Sequence, residues 1–269
     1  MNVLTENFVF SQSSLQTFAY CRRRFYLRFI DHLVWPAQIS SSQHQVDKQS
    51  GTRFHQLVHQ YFLGFDKDSL LKLASMDSDP RLQQWLSVFF QSGFSNLEGD
   101  LFPESSFTIR LDNHILTAKV DLLQIDKIDT IKIYDWKTSK KLPSAEMLVR
   151  QFQSMVYPVV IAERLHRIDN PDITMVYWEA NFPDHPVEIR FRKEDILQTK
   201  TDLKSKMDEI CSLKSNEFYM TEDLRKCAWC EYRSYCDRGI SAAKDSLAEE
   251  FDQLDYEQEI PEDITQPWG

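Results

Sequence analysis

No apolar run in this sequence approaches the roughly 20 residues that a membrane-crossing helix needs, and residues 1–10 lack the basic flank and apolar stretch of a secretory signal. These two absences lead to the expectation of a soluble, cytoplasmic protein with no membrane partner. No Gly-x4-Gly-Lys-[Ser/Thr] occurs, so the chain has no sign of an ATPase loop of its own. Internal repeats and low-complexity tracts are missing ahead of the last thirty or so residues. An excess of basic charge is missing as well: 31 Lys and Arg stand against 41 Asp and Glu, for a formal net charge of −10. The deficit is local. Residues 245–263 hold nine of the acids and no Lys or Arg, which leaves 31 basic and 32 acidic residues elsewhere. Residues 243–269 therefore read as a solvated acidic tail beside a near-neutral domain of residues 1–242, and the global charge does not argue against a polyanionic partner.

What is present is enough for a core, with 42% hydrophobic and 13% aromatic residues in a chain of 269. Helical spacing begins at about Ser13, where Ser13 and Gln16 have the interval of a capping box and Leu15, Phe18, Cys21 and Phe25 share one stripe. Residues 38–50 are polar and read as a loop. A second helix follows Gly51, with Phe54, His55, Val58, Tyr61 and Phe62 on one face, and Pro80 opens a third. The period then changes to two: Phe107, Ile109 and Leu111 alternate up to an Asp112-Asn113 turn. Return strands are expected at 115–125 and 131–136 around a turn at 127–130. A helix at 144–165, strands at 173–179 and 187–191, and a helix at 193–212 complete the pattern. The expected fold class is α/β, a mixed sheet flanked by helices.

Two of these strands carry a chemical constellation. Asp121 lies on the second, and the third ends Asp135-Trp136-Lys137, whose acid and amine project from one face because strand side chains alternate. Asp-x-Lys alone is a common surface ion pair. Here, however, Asp135 follows Ile131, Ile133 and Tyr134 on an apolar strand, where an unpaired carboxylate is costly. Two carboxylates and an ammonium suit phosphodiester hydrolysis, in which Mg²⁺ or Mn²⁺ on hard oxygen ligands activates water. His55 from the earlier helix, and Gln153 with Tyr157 from the later one, are further candidates for the same site.

The order Gly51-x-x-x-His55, Asp121, Asp135-x-Lys137, Gln153-x-x-x-Tyr157 resembles the RecB-type branch of the PD-(D/E)XK nucleases. That resemblance implies a restriction-endonuclease-like core in which His55, Asp121, Asp135 and the backbone carbonyl of Trp136 bind the metal. It implies that Lys137 is catalytic and that Gln153 and Tyr157 position DNA or the catalytic groups. Where the branch usually has Gly three residues before the first Asp, this chain has Ala118. Glu104 stands where relatives often carry an acid, and is expected in a supporting place beside the ligands.

Five cysteines in a cytosolic chain are too few and too clustered for a disulfide framework. Cys227, Cys230 and Cys236 have ligand spacing and need a fourth partner, for which Cys21 and Cys211 compete. A single Cys-x2-Cys speaks for an iron–sulfur cluster over a four-cysteine zinc site, which stays the alternative. The stretch Ser11-x-Ser13-Ser14-Leu15-x-x-Phe18-x-x-Cys21-x-x-x-Phe25 resembles the N-terminal motif of iron–sulfur nucleases such as AddB-type subunits and CRISPR-associated exonucleases. It implies a [4Fe–4S] cluster on Cys21, Cys227, Cys230 and Cys236. Arg22, Arg23 and Arg24 are candidate phosphate contacts, or else a solvated helix face. The expected activity is thus a metal-dependent DNA nuclease, a single-strand or end-directed exonuclease of DNA repair or recombination or of CRISPR-type processing, with a helicase or other repair or adaptation subunit as a partner in trans. A catalytically silent iron–sulfur DNA-binding subunit is the alternative.

Overall fold

The computed structural model describes residues 3–4, 7–33, 42–126, 130–169, 171–228 and 230–239. The acidic tail and the turn residues 127–129 lie outside these. Six strands form one mixed sheet: β1 (Val9–Ser11), β2 (Asp100–Leu111), β3 (His114–Ile125), β4 (Ile131–Lys137), β5 (Ile173–Glu179) and β6 (Val187–Phe191). β4 and β5 run parallel in register from Ile131↔Ile173 to Lys137↔Glu179, and β6 returns antiparallel on β5. Both inner strands are buried on both faces, as their near-continuous Ile, Val, Tyr and Trp content requires.

β3 organises the sheet. One of its edges is taken by β2 along its whole length, from Leu111↔His114 to Asp100↔Ile125. The other edge is divided, with β1 parallel against Ile115, Leu116 and Thr117 and β4 antiparallel against residues 122–125. Residues 118–121 open between these two partners. The side-chain alternation also changes phase there. Leu116, Ala118 and Val120 face one core, yet beyond Asp121 it is Leu123 and Ile125 that face it, while Leu122 faces the other. Across the ladder stands Glu104, between the partners of Leu122 and Val120, with a φ of 47°. A left-handed glutamate inside a strand is a strained residue, and it accommodates the kink.

Two helical layers cover the sheet. α1 (Gln12–Tyr20), α7 (Phe152–Arg164) and α8 (Lys193–Ser212) pack Leu15, Phe18, Val156, Val159, Leu203 and Met207 against Leu116, Ile133 and Met175. On the opposite face α3 (Ser42–Phe62), α4 (Lys67–Ser75) and α5 (Pro80–Gln91) bring Phe54, Val58, Leu70, Trp85 and Phe89 onto Leu122, Tyr134, Trp136 and Trp178. Two short helices, α2 (Arg22–Phe25) and α6 (Ala145–Val149), precede a π-helical turn and α7 respectively.

The structure departs from the sequence expectations in several places. The first capping box is Ser11 with Ser14, whose amides and hydroxyls exchange bonds of 3.2 and 2.9 Å. It lies two residues ahead of Ser13 because β1 runs straight into the helix. Cys21 is not on a continuous helical stripe: its extended backbone (φ −160°, ψ 118°) separates α1 from α2. The polar segment 38–50 is not all loop, since α3 begins at Ser42 and passes through Gly51. Residues 38–41 lie outside the described set. The helix expected over 144–165 is two, the first capped by the Ser144 side chain and the second starting after Gln151 with no side-chain cap. β1 has no counterpart among the expected strands, and β2 begins seven residues before Phe107.

Gly51 lets α3 approach the exit of β4, where a Cβ at that position would stand 3.1 Å from Thr138 Oγ1. Gly51→Val is expected to destabilise the protein by about 1–3 kcal/mol through overpacking. Gly51→Ala should cost less, because about 1 kcal/mol of helix propensity is regained. Urea unfolding checks both, and a Val variant as stable as the wild type would show that the contact is slack.

Candidate active site

The open stretch of the β3 edge ends at Asp121. Its Oδ2 accepts the Trp136 backbone N–H at 2.8 Å, so a side chain takes the ladder bond just past the last β3–β4 pair, Leu122↔Tyr134. The same register sets Asp121 opposite Asp135. From α3, one turn after Gly51, His55 brings Nδ1 to 3.2 Å from Asp121 Oδ1. Glu104 closes the group from β2: one ligand atom each from His55, Glu104 and Asp121 lie within 4.8 Å of one another. Lys119 Nζ balances Glu104 at 2.7 Å.

Asp135 and Lys137 share a face, with Nζ 2.8 Å from Asp135 Oδ2. Gln153 Nε2 donates to Asp135 Oδ1, and Tyr157 hydrogen-bonds Gln153 one helical turn on. Trp136 turns its ring the other way, 5.5 Å from Phe89 and 6.1 Å from Trp178 between centroids. With its amide given to Asp121, that residue can offer the site only its carbonyl. The candidates for metal binding, catalysis and positioning on the sheet and its flanking helices, His55, Asp121, Asp135, Trp136, Lys137, Gln153 and Tyr157, are therefore brought to one end of the sheet. Buried carboxylates of this kind are stable only when paired and hydrogen-bonded, and each has such a partner.

The electrostatics push the two acids apart. Burial raises Asp121, but His55, Lys137 and the Trp136 amide outweigh it and hold the carboxyl below its ordinary value. At Asp135 burial prevails over Lys137, with help from the Asp121 charge, and the carboxyl lies above its ordinary value. Burial lowers His55, yet Asp121 more than compensates and the imidazole is raised. Opposed shifts on adjacent carboxyls mark sites built for chemistry more often than sites built for stability.

Glu179, at the end of β5, is a further buried acid beside Lys137. Burial pushes it up to about 7, against the Ser139 amide and Lys137. Its Oε2 accepts the Ser139 N–H at 3.0 Å, while its Oε1 is buried with no hydrogen-bond partner. Sequence reasoning misses Glu179. The available signal is one acid ending the apolar run Val176-Tyr177-Trp178. Glu104, expected in a supporting place, groups with His55 and Asp121; its left-handed backbone has no sequence signature.

The second constellation is also assembled. Cys21, Cys227, Cys230 and Cys236 line one pocket together with Arg24, Lys226 and Arg238. Three contacts clasp the N-terminal helices to this C-terminal segment: Tyr20 Oη to the Lys226 carbonyl at 3.1 Å, Tyr232 Oη to the Leu33 carbonyl at 2.7 Å, and Arg24 to Glu231 at 3.1 Å. Arg238 Nη1 donates to Cys227 Sγ at 3.0 Å. Burial pushes the Cys230 thiol up to about 12. Cys211 is not in this pocket: its Sγ lies 3.9 Å from His114 Nδ1. The three arginines are engaged within the protein. Arg22 pairs with Glu209 at 2.5 Å and packs on Phe18 and Tyr219, Arg23 lies over Tyr26, and Arg24 is buried.

A family model for the PD-(D/E)XK nuclease superfamily matches residues 9–237, and the chain belongs to that superfamily. Its α/β core, a mixed sheet flanked by helices, is the restriction-endonuclease-like arrangement. Among solved structures, a "Putative exonuclease" from Eubacterium rectale superposes over 87% of this chain and 89% of its own, with a TM-score of 0.52 and 13% identity. That likeness is one of fold. SSO0001 aligns over 89% of this chain and 90% of its own at 12% identity, with a TM-score of 0.37, too low to carry an argument. No curated protein matches the sequence. Among the described residues no helix is long and apolar enough to cross a membrane.

Glu179 generates a pH prediction for the metal-free protein. Its folded value of about 7 lies above the ordinary 4.5, so folding favours the protonated carboxyl. Stability is therefore lost as pH rises from ~4.5 through ~7, by up to about 3 kcal/mol. Glu179→Gln should escape that loss, with a stability advantage that is small at pH 4.5 and widest above pH 7. Urea melts at both ends measure it, and an advantage that does not change with pH would contradict the assignment.

Proposed function

We propose that this member of the superfamily is a Mg²⁺- or Mn²⁺-dependent deoxyribonuclease of the RecB-like branch, acting as an exonuclease on single strands or ends. The observation that carries the reading is the convergence of Asp121, Asp135, Lys137 and His55 at one kinked end of the sheet. Two carboxylates, a backbone carbonyl and one imidazole form a donor set that suits a hard divalent ion. Nucleases of this superfamily use divalent metals. His55, Asp121, Asp135 and the Trp136 carbonyl would hold the ion, with Glu104 adding a further carboxylate. Bound there, it would neutralise phosphate charge and acidify a water.

The chain's own residues do the rest. Gln153, itself held by Tyr157, fixes the Asp135 carboxylate so that one oxygen keeps a set direction. Lys137 supplies a buried ammonium for the attacking water and for the charge that develops on phosphate. His55 holds Asp121 from the side opposite the Trp136 amide, so that this carboxylate cannot rotate. Any phosphate contact by Arg22, Arg23 or Arg24 would be made by side chains already bonded within the protein, Arg23 being the least committed. DNA repair or recombination, or CRISPR-type processing, in the cytoplasm and beside a helicase in trans, is the setting that this activity fits.

The four converging thiols support a [4Fe–4S] cluster on Cys21, Cys227, Cys230 and Cys236, with zinc as the competing ion. Burial raises the Cys230 and Cys236 thiols, which become ligands only when a cation repays the deprotonation, so loading would release protons and contribute to folding. The cluster would tie residue 21 to residue 227 and act on stability more than on catalysis. The nuclease domain would then span residues 1–242, with 243–269 outside it.

Asp135→Asn and Lys137→Ala should each lower Mn²⁺-supported cleavage of end-labelled DNA by at least about 100-fold. Variants as fast as the wild type would remove the site assignment. Separately, anaerobically purified protein should contain iron and acid-labile sulfide, and absorb broadly near about 400 nm. Cys230→Ala should lose all three signals. Stoichiometric zinc in their place would overturn the cluster and leave the nuclease reading standing.

A further inference from the structure

Asp135 accepts a hydrogen bond from Gln153 on Oδ1, while its Oδ2 makes no hydrogen bond and is held by the Lys137 ammonium as an ion pair at 2.8 Å. A divalent cation arriving on that carboxylate meets a positive charge already bonded to it. The ammonium, 8% exposed as part of its residue, has little water to retreat into. As the cation displaces it from Asp135, it turns to an acceptor within the reach of its own side chain.

Glu179 has that position. β4 and β5 are parallel and in register, with Lys137 directly opposite Glu179. Tyr177, two residues earlier on β5, packs in the same core as Ile133 of β4, so Glu179 and Lys137 project from one face as neighbours. Glu179 is 2% exposed, and its two oxygens are unequal: one caps the Ser139 amide, the other is buried with no hydrogen-bond partner among the described residues. Capping a turn explains the first oxygen only. A glutamine would cap the same amide without placing an ionisable group in the interior, whereas the idle oxygen is what a mobile ammonium would use.

We propose that Glu179 is the alternative acceptor for the Lys137 ammonium, drawing it off Asp135 when a divalent cation binds there, and is thus a positioning residue of the metal site. This rests on the reading of Asp135 as a metal ligand given above. Glu179 touches neither ion nor substrate; it acts through Lys137, and removing Lys137 removes its task.

The test is a Mn²⁺ titration of the full chain, followed by electron paramagnetic resonance, in a double-variant cycle. Glu179→Gln, which keeps the size and the Ser139 acceptor, should weaken Mn²⁺ binding by about tenfold, within the usual range of coupling between sites. In a Lys137→Met background the same Glu179→Gln change should leave Mn²⁺ affinity unaltered. Equal weakening in both backgrounds would make Glu179 a ligand or a general source of negative potential, and no weakening in either would make it a turn cap; either result overturns the proposal. Asp135→Asn is run alongside. Unchanged Mn²⁺ binding in that variant would defeat the metal-site reading itself, a failure distinct from that of the Glu179 cycle.

Discussion

The bond from the Trp136 amide to the Asp121 carboxylate is the point on which the site turns. A backbone carbonyl in that place would continue the β3–β4 ladder. A carboxylate there ends it, leaving Asp121 anchored on one oxygen and directed at His55 with the other. A charge-assisted bond of this sort is about twice as strong as a neutral one. It also fixes Trp136 so that the ring goes to the aromatic layer and the carbonyl to the site.

Behind that bond the two faces of the sheet do different work. The face of α3 and α5 is buried and aromatic, with Phe54, Trp85, Phe89, Trp136 and Trp178 in mutual edge and stacked contacts. It makes a stiff backing from which β4 and β5 cannot recede. The other face gathers carboxyls that would be unstable singly. Asp135 and Glu179 are both held above their ordinary range by burial, and Glu104 keeps a backbone angle that few non-glycine residues adopt. Strain and unfavourable charge of this kind persist only where surrounding packing over-determines them. The aromatic layer supplies that packing.

Much of this is legible in the sequence because two periodicities differ so clearly. Alternation marks the second half of β2, short bounded apolar runs mark β3 to β6 almost to the residue, and the strand rule puts Asp135 and Lys137 on one face without any coordinates. Boundaries that hinge on non-local contacts are not legible. β1 is three residues long and exists because β3 has a free edge, so no local pattern announces it. The polar start of α3 looks like loop because the partners of a helix are not in its own sequence. At the site, the spacing rule finds the residues that repeat a motif, undervalues Glu104 and overlooks Glu179. A single acid in an apolar run carries no period, and its meaning comes only from the strand laid beside it.

The clasp between the two ends of the domain has a consequence for how the molecule is made. Tyr20 bonds to Lys226 across 206 positions, and Arg24 to Glu231 across 207. On a ribosome that adds about 5–20 residues per second, α1 and α2 wait roughly 10–40 s for those partners to be synthesised. Throughout that interval Phe18 and Phe25 lack Phe218, against which both rings pack in the finished protein. Within this domain, the first helices to be made are therefore among the last to be secured.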